Sequence, residues 1–403
     1  MQFSSIIGQK ETKQHLAELV QQNRLSHALL FLGNEGSGAL PLAIAFAQYI
    51  VCEEVNGKKV AISGSSLFGE EPTSTTGKHT PVTEPCGICP ACVKARQLIH
   101  PDIHFSYPVI PKKSGDKPVS TDYAAEWREF ILQFPYGNVY DWLQFIGAEN
   151  KQGNITAEEC NDIIRKLSLK SFESEFKILV MWMPEYLGKE GNKLLKLIEE
   201  PPPNTLFILV AENESLILPT IISRTQLVKI PPIDAAEVEE ALLQRTKLPP
   251  EQARQIASVC EGNYRDALQL MQHAEEDWQS LLREWLNATL KTGPAAQVKW
   301  VEEVSKLGRE KQKQFLRYFN HLLEQAIRIK LMGARNVHMP EDEFDFAQRL
   351  NKIAGISQQQ AIIEELDKAV YYIERNANAK MLFHALTIKL NHVILNKAII
   401  ETW

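Results

Sequence analysis

The sequence predicts an α/β protein whose first part holds a parallel sheet with flanking helices and whose last part is all helical. Short continuous apolar runs, such as residues 28–32 and 206–210, have the length of buried strands. Helical patterns alternate with these runs, and this alternation is typical of a parallel sheet covered on both faces. Changes of pattern predict three domains, over residues 1–230, 231–275 and 276–403.

The composition narrows the class of protein. Of the 403 residues, 44% are hydrophobic and 23% are charged, which are ordinary values for a globular protein. The net charge of −6 argues against a protein that holds DNA through a basic surface of its own. No apolar run has membrane-spanning length and the N-terminus has no signal-peptide pattern, so we expect a cytoplasmic protein without a membrane partner. Its six cysteines are then expected to be thiols or metal ligands and not disulfides.

A glycine-rich loop follows the first predicted strand and precedes a helix. Gly33, Gly36 and Gly38 lie in the frame of a phosphate-binding loop, G-x-x-x-x-G-K-[ST]. The lysine of that motif is replaced by Ala39, and the hydroxyl residue that would bind Mg²⁺ is replaced by Leu40. Glycines also serve tight turns without any ligand, so the loop alone leaves both interpretations open.

The stretch 194–224, LLKLIEEPPPNTLFILVAENESLILPTIISR, predicts a helix, a strand and a short rigid segment in succession. The helix must end at residues 201–203, because prolines fix φ and lack the backbone donor. A buried strand follows and leads through a polar turn to Ser223 and Arg224. This arrangement predicts that the arginine is directed at a partner group.

This stretch and the N-terminal text GQ … HALLFLGNEGSG resemble the AAA+ subunits of bacterial sliding-clamp loaders, where the phrase reads close to LLKxLEEPP … LPTIxSRC. The resemblance covers roughly residues 2–109 and 155–272 and, more loosely, the C-terminal helices. It implies an AAA+ sheet domain, a small helical lid and a helical collar through which subunits form a ring. It also implies work on a sliding clamp and primed DNA within the DNA polymerase III clamp loader, with motor-type (tau/gamma) and delta subunits as partners.

The resemblance implies a second motif, a pair of acidic residues that holds Mg²⁺ at the end of a strand. The matching strand ends in Trp182 and Met183, and neither is acidic. Glu185 lies further along, where we expect it to face solvent or to cap the next helix. Phosphoryl transfer depends on such charged groups, so we expect no ATP hydrolysis here and expect ATP to be bound by a neighbouring subunit. Arg265 resembles the sensor 2 arginine that touches nucleotide in active members, and we expect it to pair instead with an acidic residue at the lid interface.

We expect Arg224, preceded by Ser223, to act in trans on the γ-phosphate held by a neighbouring subunit, as arginines at this place do in oligomeric NTPases. A guanidinium stays charged and binds phosphate oxygens bidentately. The alternative is a salt bridge across a local turn. The cysteine that usually follows the arginine is Thr225 here, which changes local packing and leaves the arginine in place.

Cys86, Cys89 and Cys92 form a C-x-x-C-x-x-C run, and this spacing predicts a structural zinc site completed by one ligand from elsewhere. A similar four-cysteine module in bacterial clamp-loader subunits supports Cys52 as the fourth ligand, with the zinc module over about residues 52–95. The long stretch between Cys52 and Cys86 also brings His79 within reach as a competing ligand. A redox dithiol and unbound thiols are the other interpretations.

A second insertion, about residues 112–153, lies outside the family pattern and is rich in aromatic residues. One predicted helix, which Ser120 or Thr121 would cap, carries an apolar face. The members of that face are Tyr123, Trp127, Phe130, Ile131 and Phe134. Such a face is most often core, and a partner-docking surface is the alternative.

The C-terminal text IERNANAKML resembles the closing helix of the clamp-loader collar. Leu382, Ala385, Leu386 and Leu390 could form internal core or inter-subunit contacts. The whole pattern predicts a non-hydrolysing clamp-loader subunit. An active motor-type subunit is the alternative within the family, and a zinc-dependent nucleic-acid-binding protein is the alternative from another class. The missing loop chemistry argues against the first, and the negative charge without a basic aromatic patch argues against the second.

Overall fold

The computed structural model describes residues 1–57, 83–113, 115–148, 152–272, 278–333, 341–374 and 377–395. The chain forms two compact units. The first comprises Met1–Leu248 with Cys260–Arg265, and the second comprises Pro249–Val259 with Asp266–Trp403. The finer division into a sheet domain, a lid and a collar remains a prediction.

The first unit is built on five parallel strands in the order β2-β3-β4-β1-β5. They are β1 (Ala28–Gly33), β2 (Ile103–Ser106), β3 (Lys177–Trp182), β4 (Thr205–Ala211) and β5 (Gln226–Ile230). The predicted runs at 28–32 and 206–210 are therefore the two central neighbours, β1 and β4. Because all five strands point the same way, their carboxyl ends meet at one edge of the sheet.

Both faces of the sheet are buried, which explains why the central strands are apolar at almost every position. In β1, Leu29 and Phe31 belong to one core cluster, whereas Ala28 and Leu30 belong to a second cluster on the other face. Side chains that alternate in this way can only be covered from both sides. The prediction of a parallel sheet with helices on both faces is confirmed.

The helices follow the predicted pattern with shifts of a few residues at their ends. In chain order they are α1 (Lys10–Gln21), α2 (Ala39–Val51), α3 (Pro90–Arg96), α4 (Ala124–Gln133), α5 (Val139–Phe145), α6 (Ala157–Ser168), α7 (Leu195–Glu199), α8 (Pro219–Ile222), α9 (Ala235–Arg245), α10 (Pro250–Val259), α11 (Tyr264–Gln272), α12 (Trp278–Asn287), α13 (Pro294–Val304), α14 (Arg309–Met332), α15 (Glu341–Ile353), α16 (Ile356–Glu374) and α17 (Ala379–Leu395). Helix α7 ends immediately before the Glu200–proline segment, as the prolines require.

The aromatic insertion is part of the core of the first unit. Trp127 of α4 stacks on Tyr107 at 3.9 Å and meets Trp142 of α5 edge-on at 5.3 Å, and all three rings are buried. The interpretation as core is confirmed, although Phe134 is 44% exposed. The expected cap is wrong, because the Ser120 hydroxyl instead accepts a hydrogen bond from the Tyr107 amide.

The second unit is helical and has its own core, in which Trp285 and Trp300 stack at 4.6 Å. Leu386 and Leu390 of α17 belong to this core and Leu382 packs against it, while Ala385 is exposed. Two residues of the predicted closing helix, 375 and 376, lie outside the described residues. Within the described part of the chain, no helix combines the length and the apolar character that crossing a membrane requires.

Candidate nucleotide cleft, cysteine cluster and exposed arginine

A small cleft lies at the carboxyl ends of β1, β3 and β4, the edge at which parallel sheets usually bind ligands. Its walls include Gly33 and Ala211 at the ends of β1 and β4, Trp182 at the end of β3, and the first residues of α2. Residues 135–137 of the insertion also line it. The cavity measures about 20 Å³, which is room for about one water molecule.

The glycine loop is held in place and leads into α2 without a charged residue. Gly38 begins the helix with φ of 88°, a conformation that favours glycine. The side-chain amide of Gln9 donates to the carbonyl of Ser37 at 3.2 Å. Ala39 and Leu40, the first residues of α2, are both buried. The helix N-terminus still presents backbone N–H groups, but these two side chains bring neither a positive charge nor a metal ligand.

Two side chains occupy the space next to the loop glycines. A Cβ at Gly38 would lie 3.0 Å from the Tyr136 ring, and a Cβ at Gly36 would lie 1.8 Å from the amide oxygen of Asn263. The Tyr136 hydroxyl accepts a 2.8 Å hydrogen bond from the Ile7 amide, and burial raises its pKa. The loop is therefore closed over by the insertion and by the segment before α11.

The end of β3 carries Trp182 and Met183 at the positions expected to be acidic. The Trp182 ring is 3% exposed and lies 5.4 Å from Trp127 and 6.2 Å from Phe130, measured between ring centroids. Met183 is also buried, with φ of 57°. This end of the strand is an apolar surface, and the aromatic residues of the insertion cover it.

Glu185 does not behave as the sequence suggested. Its Oε1 accepts hydrogen bonds from the backbone amides of Glu212 at 2.7 Å and Asn213 at 2.9 Å, in the turn after β4. Burial raises the pKa of this carboxyl group. The expectation that it faces solvent or caps the next helix was wrong, because the turn after β4 supplies two amide donors that sequence spacing did not reveal.

Arg265 is held beside the glycine loop by two carboxylates. Its side chain is only 4% exposed. The Nε and Nη2 groups donate to the two carboxylate oxygens of Asp141 at 2.5 and 2.6 Å, and Nη1 donates to Glu35 at 2.9 Å. Asp141 belongs to the insertion and Glu35 to the glycine loop. The prediction that Arg265 pairs with acidic residues is confirmed.

The four predicted cysteines come together in space. The Sγ atoms of Cys52, Cys86, Cys89 and Cys92 all lie within 4.8 Å of one another, and those of Cys86 and Cys92 are 3.9 Å apart. Four sulfurs bound at 2.3 Å around a tetrahedral Zn²⁺ would be separated by about 3.8 Å. The group can therefore hold a metal ion with little rearrangement. His79, the competing ligand, lies outside the described residues.

The local backbone around this cluster supplies hydrogen-bond donors to the cysteine sulfurs. Cys52 follows the last turn of α2, and Cys89 is the N-cap of α3. Backbone amides of Cys86, Cys89 and Cys92 donate to the sulfurs of Cys52, Cys86 and Cys89 at 3.3–3.4 Å. A hydrogen bond from the Cys92 thiol lowers the pKa of Cys52 to about 5 and raises that of Cys92. Such donors stabilise negative charge on sulfur, which a bound metal requires.

Arg224 follows the short helix α8 and lies at the surface. Its side chain is 31% exposed. Nη2 and Nε donate to Glu199 Oε2 at 3.1 and 3.3 Å, and Nη1 donates to the carbonyl of Thr220 at 3.0 Å. The Ser223 hydroxyl lies 3.4 Å from Nη1. The segment thus holds the guanidinium in one position while leaving part of it accessible.

Sequence reasoning missed Tyr136 as a wall of the cleft, and it did not identify Asp141 and Glu35 as the partners of Arg265. Tyr136 and Asp141 lie in the aromatic insertion, for which the motifs recognised in the sequence gave no guidance. Asp141 is 124 residues from Arg265 and Glu35 is 230 residues away, so no local pattern connects them. One signal was available: an arginine without a nucleotide opposite needs an acidic partner once it is buried.

The fold and the site together define an AAA+ protein of the clamp-loader type, with a parallel five-stranded sheet, a glycine loop after β1 and a helical C-terminal part. A family model described as "DNA polymerase III, delta subunit" matches residues 8–67 and 66–234. The match covers more than half of the chain. The chain belongs to this clamp-loader family.

Individual relatives agree with this assignment. The chain is 24% identical over 257 residues to DNA polymerase III subunit delta' of Bacillus subtilis, covering 64% of this chain and 57% of the relative. It is 25% identical over 341 residues to subunit tau of the same organism, covering 80% and 46%. It is 22% identical over 278 residues to subunit tau of Escherichia coli, covering 68% and 33%. The chain therefore spans about half the length, or less, of these curated relatives.

Proposed function

We propose that this chain is a non-hydrolysing subunit of the bacterial DNA polymerase III clamp loader, of the delta-prime kind, and that it acts in the cytoplasm. One observation carries this proposal: the cleft that would hold ATP is lined by Ala39, Leu40 and Trp182 and has room for about one water molecule. A phosphate chain with Mg²⁺ needs charged and oxygen ligands at these places. The chain would then contribute to the ring without turning over ATP itself.

The role that remains for such a subunit is to act on a neighbour. Arg224 is accessible, and Glu199, the carboxylate with which it pairs, is itself 57% exposed. An exposed ion pair is weak, typically about 0–1 kcal/mol, so it is easily exchanged for a phosphate group. A guanidinium that binds two phosphate oxygens at once can stabilise the charge that develops during phosphoryl transfer. We assign Arg224 this role in trans, with Ser223 positioning it.

The proposed partners follow from the family and from the need for other subunits that bind and hydrolyse ATP. Motor-type tau/gamma subunits would supply the bound ATP that Arg224 contacts, and a delta subunit would complete the ring. The sliding clamp and primed DNA would be met within that complex. We also propose that Cys52, Cys86, Cys89 and Cys92 hold one structural Zn²⁺, which would stabilise a small module without a core of its own.

Two binding measurements on purified protein test the proposal. Mixed with tau/gamma and delta subunits from the same organism, the chain should elute with them as one complex in size-exclusion chromatography. Alone, it should bind a labelled primer–template only negligibly in fluorescence anisotropy. Strong DNA binding by the isolated chain with a steep salt dependence, together with no complex, would favour a nucleic-acid-binding protein instead.

A further inference from the structure

A glycine loop at a helix N-terminus and a guanidinium beside it form a pair that is well suited to anions. The backbone N–H groups attract negative charge, and an arginine binds two oxygens of one group at once. In this chain, a carboxylate of the protein itself already occupies the guanidinium. The Asp141 carboxylate presents one oxygen to Nε and the other to Nη2 of Arg265, which is the geometry of a bidentate oxyanion contact.

We propose that the aromatic insertion is an internal ligand of the glycine loop and of the arginine beside it, in which the Asp141 carboxylate takes the place of a phosphate group at Arg265. The proposal concerns the isolated chain and goes beyond its function in a ring. The carboxylates of Asp141 and Glu35 hold Arg265 beside the glycine loop, so no nucleotide is needed to keep it there.

Three separate contacts of the insertion support this occupancy. Tyr136 lies against Gly38 and is fixed by its hydrogen bond to the Ile7 amide. Trp127 packs on Trp182 at the end of β3. Asp141 reaches Arg265 from the first turn of α5. The insertion therefore contacts the glycine loop at Gly38, the end of β3 at Trp182, and the arginine that pairs with Glu35 of the loop.

The charges at this place also exclude a free phosphate. The Arg265 guanidinium already faces two carboxylates, those of Asp141 and Glu35, whose side chains are 20% and 15% exposed. A phosphate would add a further negative charge to a site with little access to water, where like charges repel strongly. Wild-type protein should therefore not respond to phosphate, whereas removal of the Asp141 carboxylate should create a small anion site.

Anion rescue of an alanine variant tests this. Asp141→Ala should lower the Tm of the full chain by at least about 5 °C, because the buried Arg265 guanidinium loses its bidentate contact with the Asp141 carboxylate. Sodium formate, which replaces the missing carboxylate, and inorganic phosphate should each raise this Tm by several degrees. Sodium chloride at equal ionic strength should not. Wild type should show no such anion-specific response.

Asp122→Ala is the matched control. Asp122 occupies the same capping position in its own turn, where its carboxylate accepts a hydrogen bond from the Val119 amide at 3.0 Å. Among the residues that the structure describes, it forms no ion pair with an arginine. Asp122→Ala should lower the Tm by no more than about 3 °C, and neither formate nor phosphate should raise it again.

The proposal is overturned if formate and phosphate fail to raise the Tm of Asp141→Ala above chloride, or if they raise that of wild type equally. Asp141→Ser also removes the carboxylate and leaves room for an anion while keeping a short capping oxygen, and it provides the same test if the alanine variant does not fold. Because these measurements use the isolated chain, their failure leaves the proposed action of Arg224 on a neighbour untouched.

Discussion

The Arg224 guanidinium donates to the carboxylate of Glu199 at 3.1 Å, across 25 residues of sequence that include all of β4. The contact joins the second residue after α8 to the last residue of α7. Both side chains are partly exposed, at 31% and 57%. The pair therefore fixes the position of the arginine at the surface without burying it, and a stronger anion can compete with Glu199.

Removing the carboxylate partner should free the arginine without harming the protein. We expect Glu199→Gln to change the free energy of unfolding by no more than about 1 kcal/mol, since exposed ion pairs contribute little. In a ring reconstituted with wild-type partners, the ATPase rate should stay at or above the wild-type value. Urea unfolding and steady-state ATPase assays measure the two effects. A rate that falls as far as it does when Arg224 itself is removed would show that Glu199 is required to present the arginine.

Elemental analysis should find about one zinc per chain, as expected for one tetrahedral site of four thiolates. Cys89→Ser should lose the metal, since the three remaining thiolates hold it less tightly. Cys160→Ser is the matched control, because Cys160 is fully buried on α6 and lies outside the four-cysteine cluster. It should keep its zinc.

The fourth ligand can be identified in the same way. Cys52→Ser should lose zinc if Cys52 is a ligand, whereas a variant that keeps its metal would point to His79 in its place. A folded, metal-free wild type whose four cysteines react freely and equally with a thiol reagent would contradict the zinc site.

Calorimetric titration of the isolated chain with Mg·ATP should show no binding in the micromolar range. Restoring the two missing motif residues together, as Ala39→Lys with Leu40→Thr, should not rescue it. The Tyr136 ring and the apolar end of β3 at Trp182 still occupy the cleft. Micromolar affinity in wild type, or ATP turnover abolished by changes in this cleft, would refute the interpretation that this cleft neither binds nor hydrolyses ATP.

Stability should fall in mild acid partly because of His321 in the helical unit. Burial, with a smaller contribution from Arg328, lowers the pKa of this histidine to about 4. The unfolded value is about 6.5, so between these pH values the unfolded state binds more protons and stability decreases as pH falls. By pH 4, this histidine lowers the free energy of unfolding by on the order of 3 kcal/mol relative to neutral pH. Unfolding of His321→Gln should lose correspondingly less stability than wild type between pH 7 and pH 4, and equal losses would contradict this assignment.

The sequence predicted the frame of the molecule more fully than its contacts. Apolar runs predicted β1 and β4, and the prolines after α7 predicted where that helix ends. Cysteine spacing predicted three members of the metal-binding group, and the family resemblance supplied the fourth, Cys52. These features depend on local chemistry or on a short motif. The pairing of Arg265 with Asp141 joins residues 124 positions apart and depends on the path of the insertion, which no local motif predicts. The same holds for Glu185, whose carboxylate accepts a hydrogen bond from the backbone amide of Glu212, 27 residues further along the chain in the turn after β4.

The most direct test of the account is the ATPase rate of a reconstituted ring that carries Arg224→Ala in this subunit. The variant should fold and assemble normally, because an exposed arginine contributes little to stability. Arginine fingers contribute on the order of 10³-fold or more to the rate at the site they serve, and the total rate of the ring should fall less, since only one site faces this subunit. Arg224→Lys should rescue poorly, because an ammonium cannot reproduce the bidentate contact.

Arg165→Ala is the control for this measurement, because Arg165 is 76% exposed and pairs with a carboxylate on its own helix. We expect a clear loss of clamp- and DNA-stimulated ATPase with Arg224→Ala and none with Arg165→Ala, in complexes of equal composition. An unchanged rate with Arg224→Ala, with assembly intact, would contradict this expectation and reduce Arg224 to a local salt bridge.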